Sequence, residues 1–422
     1  MTALAPMDFW TRFAFVVLLL SVTRGLVPLL TGSAGLAEPT YAFSTLLGIV
    51  LALRGLYVAL YTTTPIIPKT LRLLLLINLA LHLWWLLPII LLRPDVSTIT
   101  SGVIYTGLLP FSIFLLIKLP EKYLAKALVL FTVVVSGSVM LDFIELNTML
   151  VPGGLNLAME RHLLLRPNFE AFGYTDSVYR AVGIFGHRPH DAAIFLAMLS
   201  VYWFQTLVQT RGPRILIAVW LFLSIVGLLM TQVASNILAF FVGILFLAVA
   251  NPKPFLKVAS VTFLPAILII AVSLSYLLAA TELPLDLLWK WQQRASGEGD
   301  WSAMFIFDAH NPFADLFSFF AGHGLSLDLS GLANSSEFSF VKMLMEYGVF
   351  HWVILMCVLA YPIWRYVAMQ QIGKRIALPY IGALVVGLIS LWHYESVLHI
   401  TSIFLVFAFY AQALRIFAEC TA

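Results

Sequence analysis

The chain has 422 residues, 61% of them hydrophobic and 11% charged, with a net charge of +3 at pH 7 and a mean hydropathy of +0.96. So little polar surface excludes a soluble globule, and so small a positive charge excludes a nucleic-acid-binding face, which needs a dense basic patch on a solvated domain. The two cysteines, Cys357 and Cys420, exclude a disulfide framework.

Apolar runs of roughly 20 residues, the length that crosses a bilayer, begin near Phe9, Ala42, Leu71, Ser101, Ala125, Asp191, Ile215, Asn236, Val258, Val341, Ile376 and His399. This pattern predicts an all-α polytopic membrane protein with about twelve transmembrane helices. The first run is too long for the apolar core of a signal peptide and lacks a small-residue cleavage site, so it reads as a retained helix. The seventh and eighth are separated only by Thr231 to Asn236. A single helix over both would far exceed the thickness of a bilayer, which predicts two helices with a tight turn.

Orientation follows from lysine and arginine, which short cytoplasmic loops retain. With the N-terminus inside, the inner loops carry Lys69 and Arg72; Lys118, Lys122 and Lys126; Arg211 and Arg214; Lys253 and Lys257; and Arg365, Lys374 and Arg375. Both termini are then cytoplasmic. Residues 1–422 read as one membrane domain with two long outward segments, 145–190 and 281–340, the second lying between the ninth and tenth helices.

Those two segments hold the charges that spanning does not explain. The first contains Arg161, Arg166, Arg180 and Arg188 with His162, His187 and His190. Two readings fit: pairing with Glu160, Glu170, Asp176 and Asp191 or with lipid headgroups, or a binding site for an anionic group, because a guanidinium fork matches phosphate oxygens bidentately. In the second segment Arg294 stands near Glu298, Asp300 and Asp308, and His310 and His323 are open to acid, base, ligand or plain loop roles. No spacing resembles a zinc or calcium site, so no metal is expected. Glu337 opens the tenth span, where the helix dipole favours a carboxylate, so capping and catalysis both account for it. Arg24 and Arg54 fall within spans, Arg54 nearer the centre, and His82, His393, Glu395 and His399 lie in or beside spans as expected interior polar contacts.

One stretch, YRAVGIFGHRPHDAAIFLAM, carries Arg180, Gly183, Phe185, Pro189 and His190 in the order of an arginine, a glycine and a Pro-Asn leading into a span, with Pro-His here. Gly322 and Gly324 follow as G-x-G in the second long loop, and Glu346, Tyr347 and Gly348 as Glu-x-Gly in the next span. Over residues 177–360 the chain thereby resembles the bacterial O-antigen polymerases (Wzy-type) and O-antigen ligases, GT-C-like membrane glycosyltransferases. Ser235-Asn236 stands where that family has Ser-Arg, and Glu337-Phe338 where its ligases have His-Asn; the latter points toward a polymerase.

The resemblance implies polysaccharide biosynthesis at the cell inner membrane, with a large periplasmic loop and the active site on the periplasmic side. An undecaprenyl-diphosphate-linked glycan is the donor and a second lipid-linked repeat unit the acceptor, without metal or organic cofactor. Arg180 and Arg294 with Glu337 are the expected catalytic residues. Arg161, Arg166, Arg188, His187, His190 and His323 are the expected contacts to diphosphate and glycan. A chain-length regulator and a flippase are the expected partners, and nucleic acid is not. The alternatives are a ligase transferring glycan to lipid A core in lipopolysaccharide assembly, a polysaccharide or lipid transporter, and a non-catalytic assembly partner.

Overall fold

Asp8 starts the first helix by accepting the Thr11 backbone N–H at 2.6 Å, which satisfies one of the donors that a helix leaves open at its N-terminus. The computed structural model describes residues 7–27, 37–62, 66–92, 100–148, 181, 183–185, 189–210, 214–231, 233–252, 255, 320, 339–369, 371–391 and 400–421. Among these every regular element is a helix. The helices are α1 (Phe9–Thr23), α2 (Ala37–Tyr61), α3 (Lys69–Leu92), α4, α5 (Glu121–Thr148), α6 (Pro189–Gln209), α7 (Arg214–Met230), α8 (Ala234–Ala250), α9 (Ser339–Val367), α10 (Gln371–Ser390) and α11 (Ile400–Thr421). α4 is composite: a π-helical stretch, Thr100–Leu108, passes through a 3-10 turn, Leu109–Ser112, into one α-turn, Ile113–Leu116.

These helices begin within a few residues of the apolar runs read from the sequence, and α7 and α8 are separate helices as their spacing predicts. Six of the described helices are long and apolar enough to cross a membrane, and shorter apolar helices accompany them. The chain is therefore an all-helical, membrane-embedded protein. The run beginning at Val258 and most of 145–190 and 281–340 lie outside the described residues.

The chain forms two compact units, the first comprising Met1–Val22, Thr40–Ala127 and Ser302–Ala422, the second Thr23–Pro39 and Leu128–Trp301. In the first, α9, α10 and α11 pack together, α9 also packs on α3, and α3 on the π-helical part of α4. Pro362 lies inside α9. A proline has no N–H, so the carbonyl four residues earlier loses its helical partner. That carbonyl belongs to Val358, and the Tyr410 hydroxyl of α11 donates to it at 2.7 Å. Gln412 and Arg415, farther along α11, donate to the Leu119 carbonyl at 2.7 and 3.3 Å, capping the end of the α4 segment. The Tyr380 hydroxyl of α10 donates to Glu121 at 2.9 Å. The break at Pro362 and the end of α4 are thus both closed by side chains of α11, as a water-free environment demands.

Arg54, read from sequence as near the centre of its span, sits two turns before the end of α2 at Tyr61. Its guanidinium lies 4.8 Å from the Tyr57 ring and 5.2 Å from the Trp10 ring of α1. Two aromatic faces thus stand within cation–π range of the charge.

In the second unit α6 packs against α7 and α8. α6 is almost wholly enclosed, 94% of its apolar window being buried, and the Trp203 indole N–H reaches Thr132 Oγ1 of α5 at 2.8 Å. α7 buries Leu221, Ser224, Gly227 and Leu228 and exposes Ile215, Leu216, Val219 and Phe222. Beyond Arg214 at its first residue, its exposed residues are apolar, as lipid contact requires.

Candidate functional site

The approach to α6 is held from α5. Ser138 and Asp142 are one turn apart on α5 and so share a face. Asp142 Oδ2 accepts the Gly183 N–H at 2.9 Å, and Ser138 Oγ accepts the Ile184 N–H at 3.2 Å while donating to the Val135 carbonyl at 3.0 Å. Asp142 and Ser138 are buried, and buried polar groups need such partners. Gly183 is required twice: its φ is +53°, and a Cβ there would meet Val139 N at 2.8 Å and Ser138 C at 3.0 Å, both backbone. Phe185 then packs on Phe195, and Phe195 on Phe131, with ring centroids 5.8 Å apart in each case. Pro189 opens α6, where its missing N–H costs nothing, and Asp191 lies in the first turn, favoured by the helix dipole. The His190 carbonyl accepts a hydrogen bond from Asn236 Nδ2 of α8 at 3.1 Å.

Among the expected site residues, His190 is described, half-buried at the start of α6. Arg161, Arg166, Arg180, His187, Arg188, Arg294, His323 and Glu337 lie outside the described residues, as do His393, Glu395 and His399. Of the shorter motifs, Gly183, Phe185, Pro189, His190 and Asn236 converge within the second unit. Gly348, in the first, sits at φ 77° and ψ 164° and breaks α9 into two helical pieces, a backbone conformation essentially restricted to glycine.

A second polar centre lies inside the first unit. His82 of α3 is fully buried, and its Nδ1 is 2.8 Å from the Asn78 carbonyl one turn earlier and 2.8 Å from His351 Nε2 of α9. Its Nε2 is 2.6 Å from Thr106 Oγ1 of the π-helix, and Asn78 Nδ2 donates to the Thr106 carbonyl at 2.8 Å. The two imidazoles are nearly perpendicular, with centroids 4.0 Å apart, and the Tyr347 ring lies 4.8 Å from His351 and 5.5 Å from His82. Gly107 lets the π-helix lie against the imidazole: a Cβ there would be 3.0 Å from His82 Cγ. The sequence reading anticipates an interior contact for His82 and misses His351; the available signal was an ionisable residue inside an apolar run. Among the described residues no group of three metal-ligating side chains comes together.

Outside the spans, partial burial alone would raise the Asp8 carboxyl, but hydrogen bonding to Thr11 and the charge of Lys118, whose Nζ is 3.7 Å away, bring it below its ordinary value.

No family model matches this chain, and no curated protein matches it.

Proposed function

We propose that the chain is a GT-C-type membrane glycosyltransferase that polymerises undecaprenyl-diphosphate-linked repeat units on the periplasmic face of a bacterial inner membrane, building O-antigen or a related surface polysaccharide. The finer topology belongs to the same reading: twelve spans, cytoplasmic termini, and residues 145–190 and 281–340 outside. The observation that carries it is the hydrogen bond from Asn236 to the His190 carbonyl. It joins the Pro-His and Ser-Asn segments, which stand where the family has Pro-Asn and Ser-Arg, next to a Gly183 turn at which a side chain is strained.

In this scheme an acceptor hydroxyl oxygen attacks the anomeric carbon of the donor. The bond from that carbon to the diphosphate oxygen breaks, the diphosphate leaves with the electron pair, and the hydroxyl proton passes to a base, with inversion of configuration. Arg180, Arg188 and Arg294 are assigned to the departing diphosphate, whose growing charge fixed guanidinium groups stabilise, with Arg161 and Arg166 along the glycan-diphosphate. Glu337 is assigned to the acceptor hydroxyl, with His187, His190 and His323 as the alternatives for that role.

The test is purified protein in liposomes with an undecaprenyl-diphosphate-linked repeat unit, followed by mass analysis of the lipid-linked product. A ladder of longer glycans with release of undecaprenyl diphosphate is the expected result. Transfer solely onto lipid A core would make the protein a ligase, and no transfer with any repeat unit would end the reading.

A further inference from the structure

Several helix ends of the first unit meet at one place. The start of α1 is tied to the connection between α4 and α5 by the Lys118–Asp8 ion pair at 3.7 Å, and to α5 itself by the Phe15 and Tyr123 rings, 5.8 Å apart. The last part of α2 lies on the 3-10 turn of α4, so closely that a Cβ on Gly55 would collide with the Phe111 carbonyl. The first turn of α3 reaches the segment that follows, with the Arg72 guanidinium 6.0 Å from the Phe114 ring. Cations outnumber anions here: Arg12, Arg54, Lys69, Arg72, Lys118 and Lys122 stand against Asp8, which is paired with Lys118, and Glu121, which accepts from Tyr380.

Arg54 is the cation among them whose surroundings call for an anion. Its guanidinium lies against the rings of Tyr57 and Trp10, and Trp10 is the second residue of α1. The charge therefore sits at the level of the first turn of α1, although the Arg54 backbone is about 10 Å inside the end of α2. Aromatic faces attract a cation without supplying a strong hydrogen-bond acceptor. Nε is enclosed with no acceptor, and the terminal nitrogens, which are not enclosed, have no hydrogen-bond or ion-pair partner among the described residues. Beside this charge runs a path for hydrocarbon. Phe43, Leu46, Val50, Leu53, Tyr57 and Leu60 recur every three or four residues along α2, so they share one face, and all are exposed. That stripe runs past Arg54 at Leu53 and Tyr57, the latter being the ring its guanidinium touches.

We infer that Arg54 binds the phosphate of an anionic phospholipid whose acyl chains lie along the exposed stripe of α2. The stripe takes the hydrocarbon, and the open edge of the guanidinium meets two phosphate oxygens. The surplus of positive charge around it selects a headgroup of net negative charge over a zwitterionic one, whose own ammonium the neighbouring cations repel. The inference does not rest on the glycosyltransferase reading.

The test uses the full chain in detergent micelles with equimolar phosphatidylglycerol and phosphatidylcholine of the same acyl chains, in phosphate-free buffer, and reads by native mass spectrometry which lipid is retained first. The expected result is retention of phosphatidylglycerol. Arg54→Gln cuts the preference about fivefold or more, the worth of one cation at an anionic lipid surface. Arg54→Lys, which keeps the charge and loses the fork, lowers it as well. Arg214→Gln, which removes an exposed cation from the second unit, leaves it unchanged. Equal retention of the two lipids by the parent would mean that water satisfies the guanidinium, and an equal fall in Arg54→Gln and Arg214→Gln would mean diffuse surface attraction; either overturns the assignment. So would a parent-like preference in both Arg54 variants, or displacement of phosphatidylglycerol by added inorganic phosphate, the mark of a pocket for a free anion. Tryptophan emission reports whether each variant is folded, and the preference of the parent tests the inference whatever the variants do.

Discussion

The pairing of Pro362 with Tyr410 makes a prediction that separates a structural hydrogen bond from mere packing. Tyr410 is 1% exposed and its hydroxyl donates to the Val358 carbonyl at 2.7 Å. Tyr410→Phe removes one oxygen, keeps the ring, and leaves that carbonyl without a partner because Pro362 has no N–H to offer. An unsatisfied buried acceptor costs about 1–3 kcal/mol. Pro362→Ala supplies the missing N–H, so in that background the same Tyr410→Phe change should cost less by about 1 kcal/mol or more, a coupling that a double-mutant cycle measures. Reversible unfolding of the four proteins in mixed micelles, titrated with sodium dodecyl sulfate and followed by tryptophan fluorescence, gives the cycle. Equal losses in both backgrounds, or a Tyr410→Phe protein within about 0.5 kcal/mol of the parent, would refute the reasoning.

Gly183→Ala and Gly137→Ala form a second contrast. At Gly183 the left-handed backbone costs about 1–2 kcal/mol for a residue with a Cβ, and the contact with α5 backbone adds to it. A Cβ at Gly137 meets nothing within 4 Å, so alanine there should stabilise the helix by up to about 1 kcal/mol; equal stability of the two variants would contradict this. Gly348→Ala, at φ 77°, should lose about 1–3 kcal/mol in the same unfolding assay. The lowered Asp8 carboxyl contributes stability that is present above the ordinary carboxylate range and lost as pH falls through its folded value. Protection of the Thr11 amide, its exchange relative to a free peptide at the same pH, should therefore be present at neutral pH and lost in acid in the parent protein, and be absent throughout in Asp8→Ala. Under the proposed function, Arg180→Ala, Arg294→Ala and Glu337→Gln each abolish chain extension with protein level and membrane insertion unchanged, and Arg294→Lys fails as well because an ammonium cannot make the bidentate contact. Extension by Glu337→Gln at the parent rate would move the base to a histidine.

Apolar runs made the helices legible, because a segment that meets lipid must be long and uncharged whatever it packs against. The break between α7 and α8 could be read from the stretch Thr231 to Asn236, five of whose six residues are polar or small. What hydropathy could not supply was partnership across sequence. Gly183 is visible as a glycine before a span, but nothing local says that Asp142, 41 residues earlier, receives its N–H. His351 is 269 residues from His82, and neither position carries a mark of the other. The π-helix at Thr100–Leu108 escaped because its own composition reads as an ordinary span. Among the expected site residues, His190 is the one the structure describes, and its backbone carbonyl accepts from Asn236.

The enclosure of α6 changes what substitution can do there. A helix enclosed by protein has little lipid to satisfy, and α6, with 94% of its window buried, carries Ser200, Trp203, Gln205 and Thr206. At such positions volume should be constrained and a polar group accepted where a hydrogen-bond partner is within reach, whereas on the bare face of α7, at Ile215, Leu216, Val219 and Phe222, size should vary freely and a single charge should not be accepted. A saturation library would then record two grammars in adjacent helices, one of shape and one of solvent.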